Sequence, residues 1–168
     1  PMHPQLINHI QKTVALSDSD MQAIEKHFKH ETAKKKTHLL EEGQVCKKQY
    51  FVLKGCCRNY IINQKGNEQT LQFGLENWWI TDYMSFDNGK PSPFYIQAVE
   101  NSEVLSIDKQ ASESLLAEVP ELEKYFRMIL QKSFAAAQMR IKFLFTMTAE
   151  ERYRHFSGNF PDFVQRIP

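Results

Sequence analysis

The sequence holds no run approaching roughly eighteen consecutive apolar residues, and Pro1, Met2, His3 and Pro4 have neither the basic nor the apolar region of a leader. A membrane span and a secretion signal are both unsupported, and the expected compartment is the cytoplasm. Cysteine is scarce: Cys46, Cys56 and Cys57 are odd in number, and the adjacent pair has no Cys-x-x-Cys partner. That argues against a disulfide framework and against a zinc or iron–sulfur site, and predicts reduced, buried thiols. His27 and His30 lie three apart on a predicted helix, where they would face one metal ion, but no third ligand is close in sequence. Also missing are a Gly-x-Ser-x-Gly elbow, a Walker-type loop and a basic partner at recognisable spacing from Cys56 or Cys57. Between Thr37 and Ile107 there is a single histidine, His38, whereas an open metal site on a small barrel needs about three convergent ligands. Neither catalysis nor a metal or cofactor is expected.

What is present fits one domain of ordinary size with a small appendage: 168 residues, 42% hydrophobic, 12% aromatic and 24% charged. Twenty-one basic residues against twenty acidic give no whole-chain attraction for nucleic acid. The distribution is less even. From Lys124 onward eight basic residues face three acidic ones, a bias that suits either a solvated helix face or a phosphate-binding surface.

The first thirty-six residues read as helical, with Ser17 or Asp18 as a cap, Met21, Ile24 and Phe28 at helical spacing, and Lys34, Lys35 and Lys36 as a basic exit. From Thr37 to Ile107 short apolar runs alternate with turn residues at a spacing of about 8–12, the pattern of an all-β sandwich or barrel. The runs are Leu39 to Leu40, Tyr50 to Leu53, Tyr60 to Ile62, Leu71 to Phe73, Ile96 to Val99 and Val104 to Ile107. Helical signals resume after Ser112, and one long helix is expected from Pro120 to Phe145. Its apolar positions Leu122, Phe126, Ile129, Leu130, Ala136, Ala137, Ile141 and Leu144 advance by threes and fours. Its length exceeds what a small β core needs as a cover, and Ala135, Ala136 and Ala137 would admit a second helix closely, so a homodimer through residues 120–145 is expected. The alternative is a stripe that packs only on the chain's own β core. Thr148 and Glu151 have capping-box spacing, which starts a further helix at Ala149 that should end at Gly158 or at Asn159, Phe160 and Pro161.

This order of elements resembles the cyclic-nucleotide-binding regulators of the Crp/Fnr family across essentially the whole chain. The resemblance rests on Leu40 to Gly43, on Tyr50 to Gly55 with its Lys-Gly turn, on Gly66 to Glu68 leading into Leu71 to Phe73, and on Trp79 to Phe86 followed by Asp87 to Ala98, which looks like the phosphate-binding cassette. Glu76 to Trp79, Thr148 to Tyr153, Phe160 with Pro161, and Arg166 to Pro168 further resemble a Bacteroidetes-type branch, in which Ile-Pro leads into a winged helix-turn-helix. The implied fold class is α+β: an antiparallel β-roll of the double-stranded β-helix or jelly-roll kind, with N-terminal helices and a long C-terminal dimerisation helix. The implied domains are residues 1–119, N-terminal helices and roll; 120–147, dimerisation helix; and 148–168, the start of a truncated DNA-binding domain.

The resemblance implies a pocket, and the residues depart from it. Family members that bind cyclic nucleotides carry Gly-Glu at the start of the cassette, the Glu holding the ribose, and later an Arg on the cyclic phosphate; here Thr81 and Asp82, then Ser92 and Pro93, stand at those places. Losing a charged hydrogen bond worth about 1.5–3 kcal/mol, and a backbone N–H at Pro93, predicts that cyclic AMP and cyclic GMP do not bind by the usual mode. Trp78, Trp79, Tyr83, Phe94 and Tyr95 crowd the same stretch, either to stack on a flat or apolar ligand or to fill the space of one. The candidate effector pocket is therefore Trp79, Asp82, Tyr83, Ser92 and Phe94, with Gln138 placed by counting along the long helix. The expected function is the sensing and dimerisation half of a DNA-binding transcription regulator whose recognition helix is absent from this chain. The rival is a stand-alone ligand-binding or protein-interaction module.

Overall fold

The computed structural model describes residues 3–159 and 165–166. Of the residues invoked above, Pro1, Met2, Phe160, Pro161, Ile167 and Pro168 lie outside the described residues. The chain divides into two units, residues 1–125 and residues 126–168.

In the first unit, helices α1 (Pro4–Gln11) and α2 (Asp18–His27) precede eight strands: β1 (Lys29–Ala33), β2 (His38–Leu40), β3 (Lys48–Lys54), β4 (Cys57–Ile62), β5 (Glu68–Gly74), β6 (Trp79–Ile80), β7 (Tyr95–Ala98) and β8 (Ser102–Asp108). Helix α3 (Tyr83–Asn88) interrupts the strands after β6, and α4 (Lys109–Glu118) follows β8. Two four-stranded sheets result, in the orders β1-β8-β3-β6 and β2-β7-β4-β5, and every pairing is antiparallel. This is the antiparallel roll with N-terminal helices that the sequence predicts.

The Ser17 cap forms as a full capping box: Ser17 Oγ accepts the Asp20 N–H at 3.1 Å and Asp20 Oδ2 accepts the Ser17 N–H at 3.0 Å. Helix continuing to residue 36 does not. Phe28 turns extended at φ −91°, ψ 144°, and residues 29–33 become β1, hydrogen-bonded to β8 from Lys29↔Ser106 to Ala33↔Ser102. The segment Lys-His-Glu-Thr-Ala has no apolar alternation to announce a strand, so a sheet edge open to pairing overrides its local preference. His27 and His30 consequently sit on different elements and hydrogen-bond to different carboxylates, Glu118 at 2.8 Å and Glu103 at 3.1 Å. Helices α3 and α4, which the hydrophobic pattern does not single out, each start at an aspartate cap, Asp82 and Asp108.

Period-two alternation gives the first sheet two buried faces. Tyr50, Val52, Ile80 and Val104 join Leu40, Cys46, Cys57 and Ile96 in one apolar cluster between the sheets, with Leu39 and Phe86 packed against it. Phe51 and Trp79, cross-strand partners on the opposite face, pack at 5.3 Å between ring centroids. Phe28, His9 and Tyr125 close over those two rings at 5.9, 5.5 and 6.3 Å.

The long helix α5 (Leu122–Thr146) begins two residues later than predicted, because Pro120 and Glu121 form a turn in which Pro120 O accepts the Glu123 N–H at 3.1 Å. In the second unit α5 continues to Thr146, and α6 (Ala149–Asn159) starts at the predicted residue. Thr148 Oγ1 caps it by accepting the Glu151 N–H at 3.1 Å. No helix among the described residues is long and apolar enough to cross a membrane.

The turn from β3 to β4 is set by Gly55, whose φ is +101° and whose missing Cβ would lie 2.3 Å from Ser102 Oγ and 2.8 Å from Asn101 O. Gly55→Ala should therefore lower the unfolding free energy in urea by at least about 1–3 kcal/mol. An unchanged midpoint would show that the β8 entry gives way freely.

Candidate functional site

The β6–α3–β7 segment is held by a chain of buried polar side chains. Thr81 Oγ1 donates to Lys48 O at 2.9 Å and lies 3.3 Å from Cys46 Sγ. Ser85 Oγ donates to Lys90 O at 2.6 Å and accepts the Cys46 N–H at 2.8 Å. Asp82 is the hub. Its Oδ1 accepts the N–H groups of Met84 and Ser85 at 3.1 and 3.4 Å, which caps α3, and its Oδ2 accepts the Ser92 hydroxyl at 2.6 Å. Ser92 Oγ in turn accepts the Phe94 N–H at 3.1 Å. The Ser92 backbone is also engaged, its N–H with Gln44 O and its carbonyl with the Gly43 N–H, both at 2.8 Å.

The structure thus brings Asp82, Ser92 and the Phe94 backbone together and sets Trp79 apart from them. Trp79 faces the helices: its Nε1 donates to Tyr125 Oη at 2.8 Å, and His9 Nδ1 meets the same hydroxyl at 2.6 Å. Burial pushes the Tyr125 phenol above its ordinary range, partly offset by the Trp79 hydrogen bond, and Tyr83 adds to the upward shift. Tyr95 stacks on Tyr60 at 4.8 Å on the outer face of the second sheet, where the Arg58 guanidinium lies 3.9 Å above the Tyr60 ring. Gln138 lies on α5 in the second unit and is exposed.

Sequence reasoning missed the residue that stands out on the roll's inner face. Asn59 on β4 is opposite Ile96 on β7 and Gln72 on β5, and it is 8% exposed. Its Oδ1 accepts no hydrogen bond from the described residues. A cue was present, since Asn59 stands two residues on from Cys57 and so shares its face of the strand. Nearby, burial pushes the Cys57 thiol up to about 11 and the Tyr50 phenol well above its usual range, as a dry, apolar interior requires.

Chemically, Asp82 supplies a carboxylate that is already saturated by a hydroxyl and two backbone N–H groups, and Ser92 supplies no positive charge. A cyclic phosphate placed against this pair would meet an anion and no compensating cation.

Residues 30–119 match the cyclic nucleotide-binding domain family. The chain is 28% identical over 123 residues to the fumarate and nitrate reduction regulatory protein of Vibrio cholerae, a match covering 72% of this chain and 48% of that protein. The chain spans about half the length of the curated relatives it matches. Among solved structures, a cyclic nucleotide-binding domain from Methylobacillus flagellatus superposes with a TM-score of 0.71 at 18% identity, covering 82% of this chain and 81% of that one. The Thermus thermophilus catabolite activator protein superposes with a TM-score of 0.66 at 17% identity, covering 81% and 62%.

If the Asp82–Ser92 bond holds the cassette, removing either partner exposes the other's cost. Ser92→Ala should lower the unfolding free energy by about 1.5–3 kcal/mol, and Asp82→Ala by at least as much because α3 also loses its cap. The double variant should fall short of the sum by a coupling of about 0.5–3 kcal/mol. Strictly additive losses in urea melts would refute the pairing.

Proposed function

Because the chain belongs to the cyclic nucleotide-binding domain family, we propose that it is the effector-sensing and dimerisation part of a Crp/Fnr-like DNA-binding transcription regulator, with a roll that does not take a cyclic nucleotide in the usual way. The observation that carries the second half is the 2.6 Å bond from Ser92 to Asp82. The two positions that correspond to the family's ribose-binding carboxylate and phosphate-binding arginine satisfy one another. In this reading residues 1–119 sense, residues 120–147 dimerise, and residues 148–168 open a DNA-binding domain, with base readout falling to a helix-turn-helix outside this chain.

Support for the dimer comes from α5. Leu130, Phe134, Ala137, Ile141 and Leu144 are spaced four, three, four and three apart, which is the a/d seam of a coiled coil. Four of them are large and open to solvent in the single chain: Leu130 at 47%, Phe134 at 66%, Ile141 at 54% and Leu144 at 60% exposed. Phe134, which the helical pattern as first read passes over, completes the seam. A two-fold partner helix would bury this stripe against itself.

Two measurements test the reading. Calorimetric titration with cyclic AMP and with cyclic GMP should show no micromolar binding; micromolar or tighter affinity for either would overturn the account of Asp82 and Ser92. Sedimentation should find the chain dimeric, and Phe134→Glu should make it monomeric while the thermal transition of the roll stays in place. A parent chain that sediments as a monomer would refute the role given to α5.

A further inference from the structure

Helix α5 carries charge of one sign only. From Lys124 to Ala149 the chain holds five basic residues and no acidic one, so the carboxylates that commonly pair with lysine or arginine across a two-helix seam are missing. The seam puts Phe134 and Ile141 at a positions and Leu130, Ala137 and Leu144 at d positions. Ser133 and Arg140 are then g residues, and Gln138 and Phe145 are e residues. Arg140 is the one charge among those four. Its side chain is half-buried, it has no ion pair among the described residues, and burial lowers its pKa from the ordinary value. Phe145 is 85% exposed, more than any other large apolar residue described. Five residues of helix turn about 140° around the axis. Arg140 and Phe145 therefore flank the seam on opposite sides and do not meet on one helix.

In a parallel pair of helices each g residue faces the e residue five positions further along the other helix. Ser133 then faces Gln138 of the second copy, hydroxyl against amide, and Arg140 faces Phe145 of the second copy. An antiparallel pair sets g against g and e against e, so Arg140 would never meet the ring. A guanidinium is flat and weakly hydrated, and it stacks on an aromatic face where no carboxylate is offered. We propose that Arg140 of each copy stacks on the Phe145 ring of the other, and that these two symmetry-related contacts fix the register of the α5 pair and select a second copy of this chain as the partner. The inference rests on the reading of α5 as a dimerisation helix and adds what specifies the pairing. A slip of one heptad replaces Phe145 by Gln138 opposite the guanidinium. A foreign helix with neither a ring nor a carboxylate at that place leaves the guanidinium unpaired and is disfavoured for that reason.

Sedimentation equilibrium on the full chain gives the dimer dissociation constant that tests this pair. Arg140→Gln removes the charge and keeps a long side chain, and Phe145→Leu removes the ring and keeps an apolar one. Each should raise the dissociation constant about five- to thirtyfold, the worth of two cation–π contacts, while the thermal transition of the roll stays in place. Once Phe145→Leu is present, Arg140→Gln should have no further effect. Mixing reads the register directly. Arg140→Glu in one chain and Phe145→Arg in another set an acid against a base across the seam, so these two variants should associate with each other in preference to themselves. A parent dimer whose dissociation constant is indifferent to both single substitutions would overturn the pair and leave the dimer reading standing. A parent chain that is monomeric at every concentration would overturn both. Losses that simply add in the double variant, or charge variants that mix without preference, would equally refute contact between positions 140 and 145.

Discussion

A strand buried on both faces can satisfy two cores only by strict alternation, and the first sheet is organised by that constraint. Tyr50 and Val52 face the roll while Phe51 between them faces the helices, and the short β6 repeats the rule with Ile80 inward and Trp79 outward. Shifting β3 by one residue would send Phe51 into the roll and Tyr50 against α1, so register is specified far more tightly than the hydrophobicity of the run alone would require. The helix layer then fixes itself on the outward rings. Tyr125, the last residue of the first unit, receives the Trp79 indole N–H and meets His9, which gives two otherwise costly polar atoms in a buried aromatic cluster their partners.

The same economy explains why the segment between β6 and β7 keeps its shape. A short helix of six residues, α3, has little stability of its own. Here Asp82 caps it, Ser92 ties the far end of the loop to that cap, and Ser85 ties its middle to Lys90 and Cys46. Asp82 and Ser92 are thus a matched pair: each side chain is the length that reaches the other.

Much of this was legible in the sequence, and the gaps have identifiable causes. All six apolar runs became strands, Ser17 and Thr148 capped the helices that follow them, and α6 began at the expected residue. These features are local: turn residues, caps and period-two runs act within a few positions. What failed was non-local. The β1 segment has no pattern of its own and is a strand because β8 offers it an edge, and β6, only two residues long, exists because β3 pairs with it. The family resemblance singles out Asp82 and Ser92, but that they bond to each other depends on a loop closure spanning ten residues. Nearness in sequence alone groups Trp79 with Asp82. Alternation through Ile80 sends the indole to the helix layer instead.

That separation has a mechanical consequence for the roll. Within four consecutive positions the chain contributes Trp79 to the helix layer, Ile80 to the roll interior, and Thr81 and Asp82 to the polar network that holds α3. Packed interiors do not deform continuously, so a backbone displacement at any of the four must be accommodated by all three environments together. The position of Ile80 in the roll and the hydrogen bond at Tyr125 are for this reason linked through two residues of a single strand rather than through a long chain of contacts.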